Sequence, residues 1–267
     1  MKEIMHFDEA FLQDKYETPK GRRSFLSYLL PRRFLLHLGW WHTFVFISRK
    51  NVDGVLPRLW SFDIYKKCIV IAEKMGAIVK IEGINNIRNL DDPPVIIGNH
   101  MSMVETVTIG VAIEQIFPNT FIVKENLIKI PYFGDILTGI KAIGVTRDNP
   151  REDLKRVLKQ GCKVLDEKAV VVFPQSTRSF EFKPDEFSTI GVKLAKKAKR
   201  KIIPLALKTD FLKPGKGKFK ELGPIDTNKA IRYSFGEPIE VEGNGAEAHQ
   251  KVINFIQNKL QEWEKMD

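Results

Sequence analysis

The stretch Asn99–Thr106 reads NHMSMVET and sets His100 five residues before the carboxylate of Glu105. An imidazole and a carboxylate can form a general base. The carboxylate accepts from one ring nitrogen, fixes the tautomer, and leaves the other nitrogen to take a proton. The same residues admit a second reading. Ser102 followed three residues later by Glu105 is a capping box, in which the glutamate reaches back to the backbone N–H of the cap. Spacing alone does not decide, because five histidines and 33 acidic residues produce such a pair by chance. Geometry adds a constraint. Residues i and i+5 of an ideal helix point about 140° apart, so contact requires His100 to precede the helix and Glu105 to sit in its first turn. A cap at Ser102 gives that arrangement. The chain has no G-x-S-x-G motif and no nearby nucleophile of the serine-hydrolase kind, so a base at His100 would activate a hydroxyl on a substrate.

These residues need a scaffold. LPRLWSFDIYKKCIVIAEKM has helical spacing and stops at Gly76, a C-terminal cap. Apolar, β-branched runs follow: AIVKIEG, PVIIGN, TFIVK, KAIGVT, AVVVFP, KIIPLAL and IRYSFGEPI. Helical patterns at 102–115, 151–167, 187–199 and 247–265 alternate with several of them. Continuous apolar strands between helices predict an α/β fold with a mostly parallel central sheet flanked by helices. Ligands of such sheets bind where strands hand over to helices. IIGNH and VVFPQSTRS are two such places. The division expected is a basic, aromatic helical segment over 1–75 and an α/β domain over 76–267.

The charge is uneven. The net charge is +10, and Lys20–Lys50 holds seven Lys or Arg with no acidic residue. That segment also carries Trp40, Trp41, Phe44 and Phe46. Its longest uncharged run, Phe34–Ser48, is shorter than the roughly 20 residues that cross a bilayer core. Aromatic apolar segments flanked by arginine suit a helical pair lying in the membrane interface, with guanidinium groups on anionic lipid; a pair packed on the protein core is the other possibility. Long aliphatic runs between the basic residues argue against nucleic acid as the partner. A second basic run, Lys193–Lys220, has eleven Lys or Arg against Asp210 and would lie on a solvated face or near headgroups. Cys68 and Cys162 form no metal spacing and read as thiols in a reducing compartment. The opening residues MKEIMHFDEAF lack the apolar core of a secretory signal.

Four blocks in fixed order now carry a resemblance. NHMSMVE resembles N-H-x-S-x-x-D. KENLIKIPYFGDILTGIKAIGVTR resembles K-x-x-L-x-x-x-P-x-x-G running to a strand and an arginine. FPQSTRS resembles F-P-E-G-T-R-S, and IIPLAL resembles a strand containing V-P. Together, across about Ile84–Leu207, they resemble the glycerolipid acyltransferases, and within them the 1-acylglycerol-3-phosphate acyltransferases. The resemblance implies direct transfer of an acyl group from coenzyme A or acyl carrier protein to the hydroxyl of a lysophospholipid, with no metal, no resident cofactor and no acyl-enzyme. It implies His100 as base and Glu105 as its orienting acid. It further implies Arg178, Arg147 and Lys124 as ligands of the acceptor phosphate, with Gln175, Ser176 and Thr177 positioning substrate or the oxyanion. The expected location is the membrane, peripheral or monotopic, on its cytoplasmic face.

The sequence departs from the pattern twice. Glu105 replaces Asp, which adds a methylene and re-aims the carboxylate. Gln175-Ser176 replaces Glu-Gly, which removes a charge and adds a Cβ where glycine permits close approach. The second departure leaves open another lysolipid or hydroxylated lipid as acceptor, or a silent lipid-binding protein.

Overall fold

The structure is a computed structural model that describes residues 9–11, 13–175, 177–215, 217 and 222–266. Most of the opening MKEIMHFDEAF and the candidate Ser176 lie outside the described residues.

In chain order the elements are β1 (Lys15–Glu17), α1 (Leu26–Leu29), α2 (Arg32–Ser48), α3 (Arg58–Lys74), β2 (Val79–Glu82), α4 (Asn85–Arg88), β3 (Val95–Gly98), α5 (Val104–Thr108), α6 (Gly110–Ile113), β4 (Asn119–Lys124), α7 (Glu125–Ile128), α8 (Phe133–Gly139), β5 (Ile143–Val145), α9 (Pro150–Val164), β6 (Ala169–Val172), α10 (Ile190–Ala198), β7 (Ile202–Lys208), β8 (Ile231–Phe235) and α11 (Ala246–Glu264). The eight strands form one sheet in the order β1-β2-β8-β7-β3-β6-β4-β5. Five neighbours, β7-β3-β6-β4-β5, run parallel, and β2 is parallel to β8. Only the β1–β2 and β7–β8 pairs are antiparallel. The expected α/β fold with a mostly parallel sheet is what forms.

Alternation along the central strands feeds two cores. Ile96 of β3 and Val171 of β6 point into one, with Leu36, Trp40, Cys68 and Val107 from the helices on that face. Val95, Ile97, Val170 and Val172 point into the other, with Val157 of α9, Leu194 of α10 and Val252 of α11. Strands covered on both faces must be apolar at every position, which is why these runs lack the polar alternation of a half-exposed sheet. The helix boundaries follow local chemistry. Gly76, at φ +99°, ends α3 as expected, in the left-handed region that favours glycine. The Asn149 side chain accepts from Glu152 N–H to cap α9, and Pro150 fills its first position. The helix expected over 102–115 is shorter and in two pieces, α5 and α6. Ser102 stays outside because its hydroxyl is engaged across the site, as described below.

The N-terminal part packs on the first core through one stripe of α2, Leu36, Trp40, Thr43 and Ile47. Its other stripe is apolar yet exposed: Phe34, Leu38 and Trp41, continued by Phe25, Leu26 and Leu29 of the preceding turn, all stand more than 40% exposed. Most of its arginines do not face outward freely. Arg22 pairs with buried Glu73 at 3.1 Å, Arg23 lies 4.0 Å over the Tyr28 ring, and Arg32 donates to the Ser27 carbonyl and the Thr227 hydroxyl. Among the described residues, no helix is long and apolar enough to cross a membrane.

Candidate active site

The parallel order brings the carboxyl ends of β3, β4, β5, β6 and β7 to one edge of the sheet, and every candidate residue follows or ends one of these strands. Asn99 prolongs β3 by imitation of a strand residue. Its Nδ2 donates to Leu207 C=O at 2.8 Å and its Oδ1 accepts from Leu207 N–H at 2.9 Å. The chain then turns, and His100 projects at the edge.

Glu105 is fully buried and accepts five hydrogen bonds. Its Oε1 takes the His100 Nδ1–H at 2.8 Å, the Met101 N–H at 2.6 Å and the Ser102 N–H at 2.7 Å. Its Oε2 takes the Ser102 hydroxyl at 3.0 Å and the Thr209 hydroxyl at 2.7 Å. Ser102 Oγ accepts from Val104 N–H at 3.1 Å, so it caps the helix start from one residue further out than a standard capping box. The catalytic and capping readings of Glu105 are therefore both realised, by the same oxygen. Burial by itself would lift the Glu105 carboxyl; the bond to His100, its positive charge when protonated, and the Thr209 bond outweigh this and hold it below its ordinary value.

The His100 imidazole keeps 13% of its surface exposed. With Nδ1 donating to Glu105, Nε2 is left as the acceptor, and Arg178 Nε donates to it at 3.3 Å. The ring lies flat on Phe173, with centroids 4.6 Å apart and planes 2° apart. The backbone is pinned as well: His100 N–H donates to Gln175 Oε1 at 2.7 Å, and His100 C=O accepts from Ser179 N–H. An imidazole so clamped, with the Nε2 lone pair at the sheet edge held by the Arg178 N–H, can take a proton from a hydroxyl that replaces that N–H at Nε2.

Arg147 follows β5 in the left-handed region, φ +70°, a position costing a non-glycine residue roughly 1–2 kcal/mol. Asp153, in the first turn of α9, holds it there by accepting from Thr146 N–H and Arg147 N–H at 2.9 and 2.7 Å. Burial would raise the Asp153 carboxyl, but these backbone bonds bring it below its ordinary value. The Arg147 guanidinium is lowered from its ordinary value, first by partial burial and then by the charge of Arg178, with Asp153 opposing. Two guanidinium groups that repel each other beside a base form a place that an anion would relieve.

The structure thus joins His100, Glu105, Gln175 and Arg178 by contact, and Arg147 to them through the field of Arg178. Lys124 ends β4 on the same edge and is exposed, with no hydrogen bond to the other candidates among the described residues. Thr177 is exposed between Gln175 and Arg178. Sequence reasoning missed Phe173, Asn99 and Thr209 as members of the site. The first two stand inside quoted blocks and were open to notice; Thr209 lies 104 residues from its partner Glu105, just beyond the fourth block, and no local pattern marks it.

Residues 78–208 match the family model described as Acyltransferase, a span that contains every candidate above. The chain is 29% identical over 192 residues to a 1-acyl-sn-glycerol-3-phosphate acyltransferase of Pseudomonas aeruginosa, covering 70% of each chain. It is 27% identical over 179 residues to the chloroplastic 1-acyl-sn-glycerol-3-phosphate acyltransferase LPAT1 of Arabidopsis thaliana, covering 62% of this chain and 44% of that longer protein. Its fold matches the crystal structure of the 1-acyl-sn-glycerophosphate (LPA) acyltransferase PlsC from Thermotoga maritima with a TM-score of 0.65, over 87% of this chain and 96% of that one, at 19% identity. Fold, family match and relatives agree on the class: this is an enzyme, an acyltransferase. Within that class, residues 78–208 carry the family match, and the relatives similar in sequence are named as 1-acyl-sn-glycerol-3-phosphate acyltransferases.

Proposed function

We propose that the protein transfers a fatty acyl group from a thioester of coenzyme A or acyl carrier protein to the sn-2 hydroxyl of 1-acylglycerol-3-phosphate, giving phosphatidate. The observation that carries this reading is the clamped His100–Glu105 pair with Arg178 on the base itself and Arg147 beside Arg178. The acceptor hydroxyl takes the place of the Arg178 N–H at Nε2. The base removes its proton as the oxygen bonds to the thioester carbonyl carbon, and Glu105 stabilises the imidazolium. The tetrahedral intermediate then collapses with cleavage of the C–S bond, and the imidazolium returns its proton to the leaving thiolate. Ser176 and Thr177 are assigned to the oxyanion through their backbone N–H groups on the strength of the block they belong to. Arg178, Arg147 and Lys124 hold the acceptor phosphate, Arg through its fork and Lys as a point charge. No metal and no resident cofactor takes part in these steps; the acyl carrier is a substrate.

The protein works as a peripheral or monotopic enzyme on an anionic membrane surface, at the cytoplasmic face where both acyl carriers occur, and nucleic acid is not its partner. The exposed apolar stripe of Phe25, Leu29 and Phe34, on a segment anchored to the body by Arg22 and Arg32, supports this. Burial of each such side chain is worth about 1–2 kcal/mol, so changing all three to Ser should weaken vesicle binding about 10²- to 10⁴-fold. Equal sedimentation of the variant with vesicles would refute docking by this stripe.

A second reading keeps the chemistry and changes the acceptor, because Gln175 supplies no negative charge where the family has Glu. Acyl transfer by the purified chain from palmitoyl-coenzyme A, measured on lysophosphatidate and on other lysolipids with His100→Ala as control, tests both. Product from lysophosphatidate that disappears in the variant is the expected result. Product from another lysolipid alone selects the second reading, and undiminished turnover by His100→Ala overturns the base.

A further inference from the structure

The His100 base has one lone pair, and Arg178 sits on it. Glu105 takes the Nδ1–H at 2.8 Å, so in the neutral ring Nε2 is the single acceptor. Arg178 Nε donates to it at 3.3 Å. A hydroxyl cannot give its proton to Nε2 while that N–H is in place. Imidazole or guanidinium has to withdraw before each turnover, and the packing decides which. The ring is held at its face, at Nδ1 and through its backbone. Phe173 lies parallel to it with centroids 4.6 Å apart, Gln175 Oε1 takes the His100 N–H, and Ser179 N–H donates to the His100 C=O. The Gln175 and Ser179 contacts also fix the chain on both sides of Arg178. What can move is the long Arg178 side chain, which is half-buried. At 3.3 Å its contact is loose for a charge-assisted bond.

We infer that the acceptor's own phosphate uncovers the base, with Arg178 as a gate that couples phosphate binding to proton transfer. While its Nε–H is on the imidazole, His100 is masked. A phosphate monoester draws the planar guanidinium onto its oxygens and Nε2 is released to the hydroxyl. Only the Nε–H matters for this, whatever the rest of the guanidinium holds. The ligand follows from connectivity. In lysophosphatidate the sn-2 hydroxyl and the phosphate stand on neighbouring carbons, so the anion that withdraws Arg178 brings the hydroxyl to the lone pair it uncovers. A neutral hydroxyl alone competes poorly, because a guanidinium N–H is the stronger donor. This role rests on the reading of His100 and of the acceptor given above, and it adds a consequence. The phosphate acts on the rate of proton transfer as well as on binding, so an acceptor without it is rejected twice.

Two measurements on the full chain test the gate. The first uses no acceptor. Diethyl pyrocarbonate reacts with an unprotonated imidazole nitrogen, and with Nδ1–H held by Glu105 that nitrogen is Nε2. Labelling is read at the His100 peptide by mass spectrometry. Inorganic phosphate, against chloride at equal ionic strength, should speed labelling about 10-fold, the low end for a hydrogen bond to a charged group. Arg178→Met has similar length with neither donor nor charge, and should label at the fast rate with or without phosphate; far-UV circular dichroism confirms its fold. The second measurement is turnover from palmitoyl-coenzyme A on 1-acylglycerol, which lacks the phosphate. The wild-type chain should be slow and gain about 10-fold from inorganic phosphate. Coenzyme A brings its own phosphates to every assay, so that gain is not the donor's. Arg178→Met should exceed the wild type without phosphate and gain nothing from it; a residue that only held the phosphate would leave the variant no faster than wild type. Labelling that phosphate slows or leaves unchanged, or a variant no faster than wild type in either measurement, overturns the gate. Turnover of lysophosphatidate by the wild-type chain is run alongside. Its absence overturns the acceptor reading, and the labelling measurement still decides the gate by itself.

Discussion

Replacing Glu105 by Gln would separate the two tasks that one carboxylate performs. The side chains have the same shape, so the question is how five donors meet an amide. Oε1 faces three N–H groups that cannot reverse, those of His100, Met101 and Ser102. Oε2 faces two hydroxyls, Ser102 and Thr209, which can rotate and accept. The amide oxygen therefore takes the first position and its NH₂ the second. The helix start and the His100 tautomer survive, and the negative charge goes. All five bonds lose their charged acceptor, each falling from about 1.5–3 kcal/mol to about 1 kcal/mol, and this is offset because the burial of a charge no longer opposes folding. Stability should stay within about 2 kcal/mol of wild type. The rate should not. The imidazolium of the transition state loses its counter-charge, and with positioned proton transfer worth 10²–10⁴-fold, kcat/KM should fall about 10²–10³-fold, or roughly 3–4 kcal/mol. The pH dependence carries a sign. A carboxyl held below its ordinary value stabilises the fold above the unfolded value, about 4.3 for Glu, and that share is lost as the pH falls through the folded value. The variant lacks the titrating group and should lose less stability on the acid side. Paired melting curves and initial rates across pH check this. Wild-type turnover in the variant would mean that Glu105 is a cap and nothing else; a collapsed melt would mean that the hydroxyls do not reverse.

Three further perturbations address the residues around the pair. Thr209→Val removes one donor from buried Glu105 at constant shape and should cost about 1.5–3 kcal/mol of stability, move the acid-side loss to higher pH as the carboxyl rises, and be rescued by Thr209→Ser; identical melts for Val and wild type would remove Thr209 from the site. Phe173→Leu takes away the face on which His100 lies and should lower kcat by up to about 10-fold with little change in KM, since such ring pairs are worth about 0.5–1.5 kcal/mol. Arg147→Gln should raise KM for a phosphate-bearing acceptor about 10- to 100-fold, and an unchanged KM would remove Arg147 from the phosphate site.

The sheet was legible because its central strands are buried on both faces, so each of the seven expected runs contains a strand. Strand β1 was not legible: three residues, KYE, with only Tyr16 buried, carry no periodicity, and their pairing with β2 depends on contacts made far along the chain. The short helices α7 and α8 escaped for a related reason, since they lie in the second block where Pro131 and the glycines read as loop. At the site, residue types and block order identified His100, Glu105, Gln175 and Arg178, which meet in space. They could not show what each does to its neighbour. That Gln175 holds a backbone N–H, that the Arg178 guanidinium reaches the base, and that Arg22, Arg23 and Arg32 are engaged by their own protein are all consequences of packing across many residues.

Gln175 shows how far the departure from Glu-Gly alters the site. Its Oε1 accepts the His100 N–H at 2.7 Å, a task that asks only for an oxygen, so glutamine keeps the anchor of the base as well as glutamate would. What changes is charge. A carboxylate here would stand in a loop shared with Arg178 and would partly neutralise the guanidinium pair, in which Arg147 is lowered first by burial and then by the charge of Arg178. With the neutral amide, that positive field is left for the acceptor, which favours a phosphate carrying its full charge. The restoring change Gln175→Glu should therefore leave kcat and the His100 position nearly as they are and raise KM for lysophosphatidate. One unit charge near a partly exposed pair is worth on the order of 1 kcal/mol, so the rise should be about fivefold, diminishing as salt screens it. A fall in kcat at constant KM would instead assign Gln175 to the reacting atoms, and an unchanged pair of constants would mean that the charge at this position is not felt by the acceptor at all.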